Sequence, residues 1–273
     1  MIVQVDDPTD PRLADYVGLT DPALRRRVEP ATGVFIAEGD KIIWRAVDEG
    51  YVLRSLLLAE RWVAGLQDVV ESNPTLPVYV ATTEVLRCVT GYHVHRGALA
   101  AVARPTLLSV SQLARNAQRL TVLHDLVDPQ NVGSIFRAAA ALGMDGVVLS
   151  PDCADPLYRR AVRVSMGAVL SLPYARFEES GSGLRDLRIA GFRLLALTPD
   201  PASMPLAELS DVDTRRCALL LGTEGDGLPP AWLAESDVRV RIPMARDIDS
   251  LNVGSAAAVA FYGLSLAGRT LDL

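Results

Sequence analysis

The sequence predicts an α/β protein in two parts, a small α/β domain followed by a larger domain built on a parallel sheet. Past residue 119, near-continuous apolar runs alternate with helical patterns, as strands covered on both faces of a parallel sheet do. Before residue 105 the same alternation appears in shorter pieces. The chain of 273 residues, 49% hydrophobic, has enough apolar side chains for two ordinary domains, or for one large one with an extra module.

The elements follow in order. The start, MIVQVDDPTDPRL, is acidic and proline-broken, without the basic-then-apolar pattern of a secretory signal. Val34, Phe35 and Ile36 predict a strand. Ile42, Ile43, Ala46 and Val47 recur at helical spacing, Gly50 closes that helix, and residues 53–58 return as a buried strand. A second helix, a strand at 77–81, another helix and a strand at 99–103 complete the small domain, which ends at Pro105. The stretch PTLLSVSQLARNAQR, polar in its second half and without a long periodic run, reads as a connector. Domains are therefore expected at 1–105 and 119–273, with a linker at 106–118. In the larger domain strands are expected at 120–123, 146–149, 193–197, 217–221 and 238–242. Ligands of such sheets bind beyond the carboxyl ends of strands, so the loops there hold the candidate site.

Composition narrows the function classes. The longest apolar stretches break well before the roughly 18 residues needed to span a bilayer, and the three cysteines, Cys88, Cys153 and Cys217, are odd in number and widely spaced. Both features predict a cytoplasmic protein without a disulfide framework or membrane partner. With three histidines and no CxxC pair, no metal site is expected. The net charge of −6 counts mildly against nucleic-acid binding, yet all basic residues but Lys41 are arginines, whose planar fork suits phosphate.

Three segments could carry chemistry. In LHDLVDPQNVGSIFRAAAALG a strand enters a helix that Asp128 caps and Pro129 opens, which puts Asn131 and Arg137 near an anion-favouring amino end. Read alone, this is equally an ordinary capped helix with a solvated arginine. In CALLLGTEGDGLPPAWL an apolar strand runs into Gly222, Gly225 and Gly227 around Glu224; glycines there permit close backbone approach, but the spacing fits neither a Walker A loop nor a dinucleotide fingerprint. A nucleotide-binding oxidoreductase is disfavoured on that ground. In VRVRIPMARDIDSLNVGSAAAVAFYGLSLAG a strand stops at Pro243 and Ser250 is expected to cap an alanine-rich helix, with Asn252 in its first turn.

Taken together and in this order, NVGSIFRAA, LLLGTEGDGLP and IPMARDIDSLNVGSAAAVA resemble the three motifs of the SpoU family of RNA 2'-O-ribose methyltransferases, in the SPOUT superfamily. FIAEGDKIIWRAVDEG, LPVYVATTEVLRCVTG and RGALAAVARP are similar to the L30e-like, ribosomal-protein-like recognition domain found before many SpoU catalytic domains. The resemblance implies a deep trefoil knot (the α/β-knot) at the carboxyl end, a homodimer and S-adenosyl-L-methionine as cofactor. It implies that Leu197, Thr198, Gly222, Thr223, Glu224, Gly227, Ile242, Met244 and Leu251 hold the cofactor. It implies that Arg137, Asn131, Glu224, Ser250 and Asn252 form the catalytic centre, acting on the 2'-hydroxyl of an RNA, ribosomal rather than transfer RNA. Arg25, Arg26, Arg27, Arg45 and Arg96 are the candidate RNA contacts of the first domain, each equally readable as a solvated surface charge. This chain has Arg246 where the family usually has glycine, and Gly254 where it usually has serine. These two departures keep open a rival reading, a non-catalytic RNA-binding member of the same fold.

Overall fold

The computed structural model describes residues 1–94, 97–178, 183–246 and 249–266. The first part of the chain forms β1 (Ile2–Gln4), α1 (Pro22–Thr32), β2 (Val34–Glu38), α2 (Asp40–Asp48), β3 (Leu53–Ala59), α3 (Gln67–Ser72), β4 (Val78–Ala81), α4 (Thr83–Thr90) and β5 (Ala98–Ala103). Its strands make a mixed sheet in the order β1-β4-β3-β5-β2, with β1, β4 and β3 parallel and β5 antiparallel to both neighbours. Every strand predicted before Pro105 is present. β1 and α1 were not expected, although α1 carries a plain start signal: the Asp21 carboxylate accepts from the Ala23 and Leu24 N–H groups and Pro22 opens the first turn. Tyr16, fully buried in this core, accepts from the Ala101 N–H and donates to the Ser55 carbonyl.

The rest of the chain adds α5 (Val110–Asn116), β6 (Arg119–Leu123), α6 (Pro129–Ala141), β7 (Gly146–Leu149), α7 (Arg159–Val164), α8 (Ala168–Ser171), β8 (Tyr174–Arg176), α9 (Gly183–Ile189) and β9 (Arg193–Leu197). It ends with β10 (Met204–Pro205), α10 (Asp211–Thr214), β11 (Cys217–Leu221), α11 (Pro230–Glu235), β12 (Val238–Arg241) and α12 (Val253–Leu266). Seven strands form an all-parallel sheet in the order β10-β12-β9-β11-β6-β7-β8. The five predicted strands are its interior; the short β8 and β10 lie at its edges. Every residue of β7 and β11 is buried, as strands covered on both faces require. The stretch read as a connector holds a helix instead. Ser109 and Gln112 form a reciprocal capping box at the start of α5, and Leu113 and Ala114 are buried against the sheet's core, so a short helix docked by two residues needs no long periodic run.

Packing divides the chain into two compact units, residues 1–106 with 157–170 and residues 107–156 with 171–273. α7 thus belongs with the first unit although the chain around it belongs to the second. Its Arg159 donates to the Glu38 carboxylate at 2.6 Å and lies 4.5 Å over the Tyr92 ring, while Arg163 reaches the same carboxylate at 3.4 Å. Glu38 is only 6% exposed, and a carboxylate taken that far out of water needs such partners.

Candidate active site

The site lies in the second unit, at the carboxyl ends of adjacent parallel strands. β12, β9 and β11 are neighbours, Leu220 stands opposite Ala196, and the Thr198 N–H donates to the Val240 carbonyl at 2.9 Å. The loops leaving these strands hold the residues expected to bind a cofactor. Leu197, Thr198, Gly222, Thr223, Gly227, Ile242 and Met244 are half-buried, and Leu251 is 39% exposed. The Thr198 N–H is thus taken by the sheet.

The glycine loop after β11 closes on itself. Thr223 pairs with Gly227, whose N–H donates to the Thr223 carbonyl at 3.1 Å, and Gly225 and Gly227 sit at φ of 90° and 69°. A Cβ on Gly222 would lie 2.1 Å from the Gly227 carbonyl carbon, so this glycine is required by the loop's own backbone. The turn places Glu224 at its exposed crest.

Three residues from separate segments meet there. α6 begins as expected, with the Asp128 carboxylate accepting from the Gln130 N–H, and Asn131 is turned inward, 7% exposed. The Asn252 amide donates to the Asn131 side-chain oxygen at 3.0 Å and to Glu224 Oε1 at 2.8 Å. The Asn252 oxygen accepts from the Gly254 and Ser255 N–H groups, which fixes the amide's orientation: the oxygen must face the helix end, so the NH2 faces Asn131 and Glu224. Asn252 therefore caps α12. The cap expected at Ser250 is corrected, since the helix starts at Val253 and Ser250, exposed, stands too far back to reach its first N–H groups.

Gly254, one of the two departures, has a packing role. A Cβ there would come within 3.1 Å of the Ser134 Cβ, so glycine lets α12 approach α6 closely. Arg246, the other, keeps the backbone of a glycine, with φ of 59°. Arg137 is exposed on α6, six residues beyond Asn131. The structure thus joins Asn131, Glu224 and Asn252 in one network, and Arg137 and Ser250 stand outside it. Asp125, passed over in the sequence, lies between β6 and α6 at φ of 50°; its N–H donates to the Ser150 hydroxyl, which donates to its carboxylate at 2.6 Å. Its signal was an acid two residues after a strand and three before a helix cap. Among the described residues no group of three or more His, Cys, Asp or Glu side chains is placed to hold a metal ion.

In the first unit, Arg25 is corrected. It is 2% exposed, paired with Glu29 at 2.8 Å and bonded to the Val17 carbonyl, so it is not available to phosphate. Three consecutive helical residues cannot share a face, and Arg26 and Arg27 take the exposed ones. Arg45 is exposed and donates to the Met166 carbonyl at 2.9 Å. Arg96 lies outside the described residues.

Comparison with known proteins decides the family. The SpoU rRNA methylase family profile matches residues 118–262. An uncharacterised tRNA/rRNA methyltransferase of Mycobacterium tuberculosis is 45% identical over 271 residues, 98% of this chain and 93% of that protein. The chain belongs to the SpoU family. It is an RNA methyltransferase of that family, and its α/β fold with a parallel sheet matches solved SpoU structures. The AdoMet-bound rRNA methyltransferase of Sinorhizobium meliloti superposes with a TM-score of 0.83 at 25% identity, over 96% of this chain and 97% of that one. A 23S rRNA (uridine(2479)-2'-O)-methyltransferase of Streptomyces viridochromogenes is 29% identical over 266 residues, 90% of this chain and 88% of that protein. Among the described residues no helix is long and apolar enough to cross a membrane.

Proposed function

We propose that this SpoU protein transfers a methyl group from S-adenosyl-L-methionine to a ribose 2'-hydroxyl of ribosomal RNA. The observation that carries this reading is the Asn131–Asn252–Glu224 network at the carboxyl ends of β6, β11 and β12, where three family motifs converge on one hydrogen-bonded centre. The activity named for the Streptomyces relative and the cofactor named for the Sinorhizobium structure support the same reading.

The residues present fit the cofactor. Leu197, Ile242, Met244 and Leu251 leave apolar surface partly uncovered beside the Gly222 loop, the kind of wall that receives a flat base. The cofactor supplies an electrophilic methyl on its sulfonium. The protein's task is then to place an RNA hydroxyl in line with it and to stabilise the oxygen as its proton leaves. A guanidinium stays protonated, so Arg137 acts by holding a backbone phosphate and by stabilising the developing alkoxide. Asn252 fixes Glu224 against Asn131, and Ser250 completes the rim of the pocket. Both departures from the family pattern leave this centre intact, which favours the enzyme over a non-catalytic RNA binder.

In this reading residues 1–105 are an L30e-like RNA-recognition domain, with Arg26, Arg27 and Arg45 as phosphate contacts, and residues 119–273 are the knotted methyltransferase domain. The protein works in the cytoplasm as a homodimer. Val259, Tyr262 and Leu266 lie 42%, 56% and 41% exposed along one side of α12, whose opposite side is already buried. A helix apolar on both sides fits one further apolar partner, here a second copy.

The test is tritiated methyl transfer from S-adenosylmethionine to unmodified 16S and 23S ribosomal RNA and to transfer RNA transcripts, followed by alkaline hydrolysis. Label in alkali-resistant dinucleotides from ribosomal RNA is expected. Label on a base, or on transfer RNA alone, refutes the assignment.

A further inference from the structure

Three described non-glycine residues have φ in the left-handed region, Asp125, Met166 and Arg246. The first two have local reasons. Asp125 has the short polar side chain that tolerates this conformation and is bonded to Ser150; Met166 has its carbonyl held by Arg45. Arg246 is a long, exposed side chain on the β12–α12 loop, at φ of 59°. Glycine would sit there without steric cost, and strained backbone persists chiefly where a site uses it.

The charge around it bears on that use. The chain's net charge is −6, and the loops around the candidate site carry the exposed acids Glu224, Asp226 and Asp249. An RNA strand brings one negative charge per nucleotide to this acidic rim, and binding it requires placed cations. Arg246 and Arg137 are exposed arginines on the segments that build the rim, and Arg246 shares its loop with Met244 and Asn252.

We infer that Arg246 is a phosphate-binding residue for the RNA substrate, held in a strained conformation that aims its guanidinium at a backbone phosphate beside the target nucleotide. The inference rests on the RNA methyltransferase reading above. A guanidinium suits this task because its fork meets two phosphate oxygens at once.

The test uses the full chain, 23S ribosomal RNA transcript and the variants Arg246→Gly and Arg246→Lys. Arg246→Gly relieves the backbone and removes the charge together. Its melting temperature is expected unchanged or raised by up to about 2 °C, with S-adenosylmethionine affinity within about twofold of wild type. KM for RNA is expected to rise roughly tenfold at nearly constant kcat, and the slope of log affinity against log salt to shrink by about 0.7–0.9. Arg246→Lys should restore that slope while recovering only part of the affinity. Unchanged RNA affinity in Arg246→Gly overturns the inference. So does a lost cofactor affinity, which makes the cofactor's carboxylate the partner, or a melting temperature lowered by several degrees, which makes the role structural. Should wild type transfer no methyl to any RNA, the methyltransferase reading fails, and filter binding of the same variants to the transcript still decides the role of Arg246.

Discussion

Replacing Asn252 by alanine removes two things that replacement by aspartate separates. In Asn252→Ala the cap of α12 is lost, at about 1 kcal/mol, and the buried Asn131 oxygen loses its donor, at about 1–3 kcal/mol. Together these predict a loss of roughly 2–4 kcal/mol, and a melting temperature lower by about 5–10 °C for a chain of this size. Asn252→Asp keeps an oxygen for the Gly254 and Ser255 N–H groups, and its negative charge suits a helix start. Its other oxygen, however, faces the Asn131 oxygen, which stood 3.0 Å from the amide nitrogen it replaces, and Glu224, which stood 2.8 Å from it. Two carboxylates at that separation repel by about 1.5 kcal/mol even at the dielectric constant of water, so Glu224 swings away. Because aspartate keeps the cap but not the donor to Asn131, the expected result is a melting temperature between those of wild type and Asn252→Ala, with methyl transfer reduced at least about tenfold. Thermal unfolding and single-turnover methyl incorporation read the two effects independently. Wild-type transfer in a stable Asn252→Asp protein would show that the network only caps a helix and would remove its members from the catalytic centre.

Arg137→Ala is expected to leave folding and cofactor affinity unchanged while methyl transfer falls at least about a hundredfold, with poor rescue by lysine; a wild-type rate would make it an ordinary surface arginine. Gly222→Ala, whose new methyl would lie 2.1 Å from the Gly227 carbonyl carbon, should force the loop open and abolish S-adenosylmethionine binding in calorimetry while the circular dichroism spectrum is retained. Undiminished affinity there would put the cofactor elsewhere. Light scattering at micromolar concentration should give a dimer mass that Tyr262→Glu lowers, since a charge at Tyr262, 56% exposed on α12, would have to be buried in the interface; a wild-type monomer contradicts the dimer. Burial pushes the Cys217 thiol up to about 12 and raises Cys153 as well, while Cys88 is exposed. At pH 8 a thiol reagent should therefore label one cysteine quickly, and rapid reaction of all three would contradict the packing of β11.

The interior of both sheets was legible because strands buried on both faces can be built only from apolar runs, as in 217–221 and 146–149. β1, β8 and β10, three residues or fewer, are too short to carry an alternation or an apolar run and left no readable signal. α1 was hidden by its charge: an arginine-rich helix of which Arg25 and Glu29 are the buried residues has no apolar stripe to read. In the site, Asp128, Gly222 and Glu224 could be placed because caps and glycine turns are local. Which of Ser250 and Asn252 caps α12 was not, since both residue types cap helices and only the register of the first turn separates them. Gly254 could not be explained either, because its reason is Ser134 on another helix.

The attachment of residues 157–170 bears on how this protein can be taken apart. The chain crosses between the two units at 106–107, 156–157 and 170–171, so no single cut separates them. A fragment beginning at residue 107 would carry Leu157, Ala161, Val162, Val169 and Leu170 away from the unit in which they are packed, and would leave the Arg159 and Arg163 partner, Glu38, behind. Such a fragment would expose fresh apolar surface in the middle of its sequence and invite aggregation. The first unit is therefore no detachable cassette. Grafting it onto another methyltransferase would mean transplanting residues 157–170 from the recipient's interior as well.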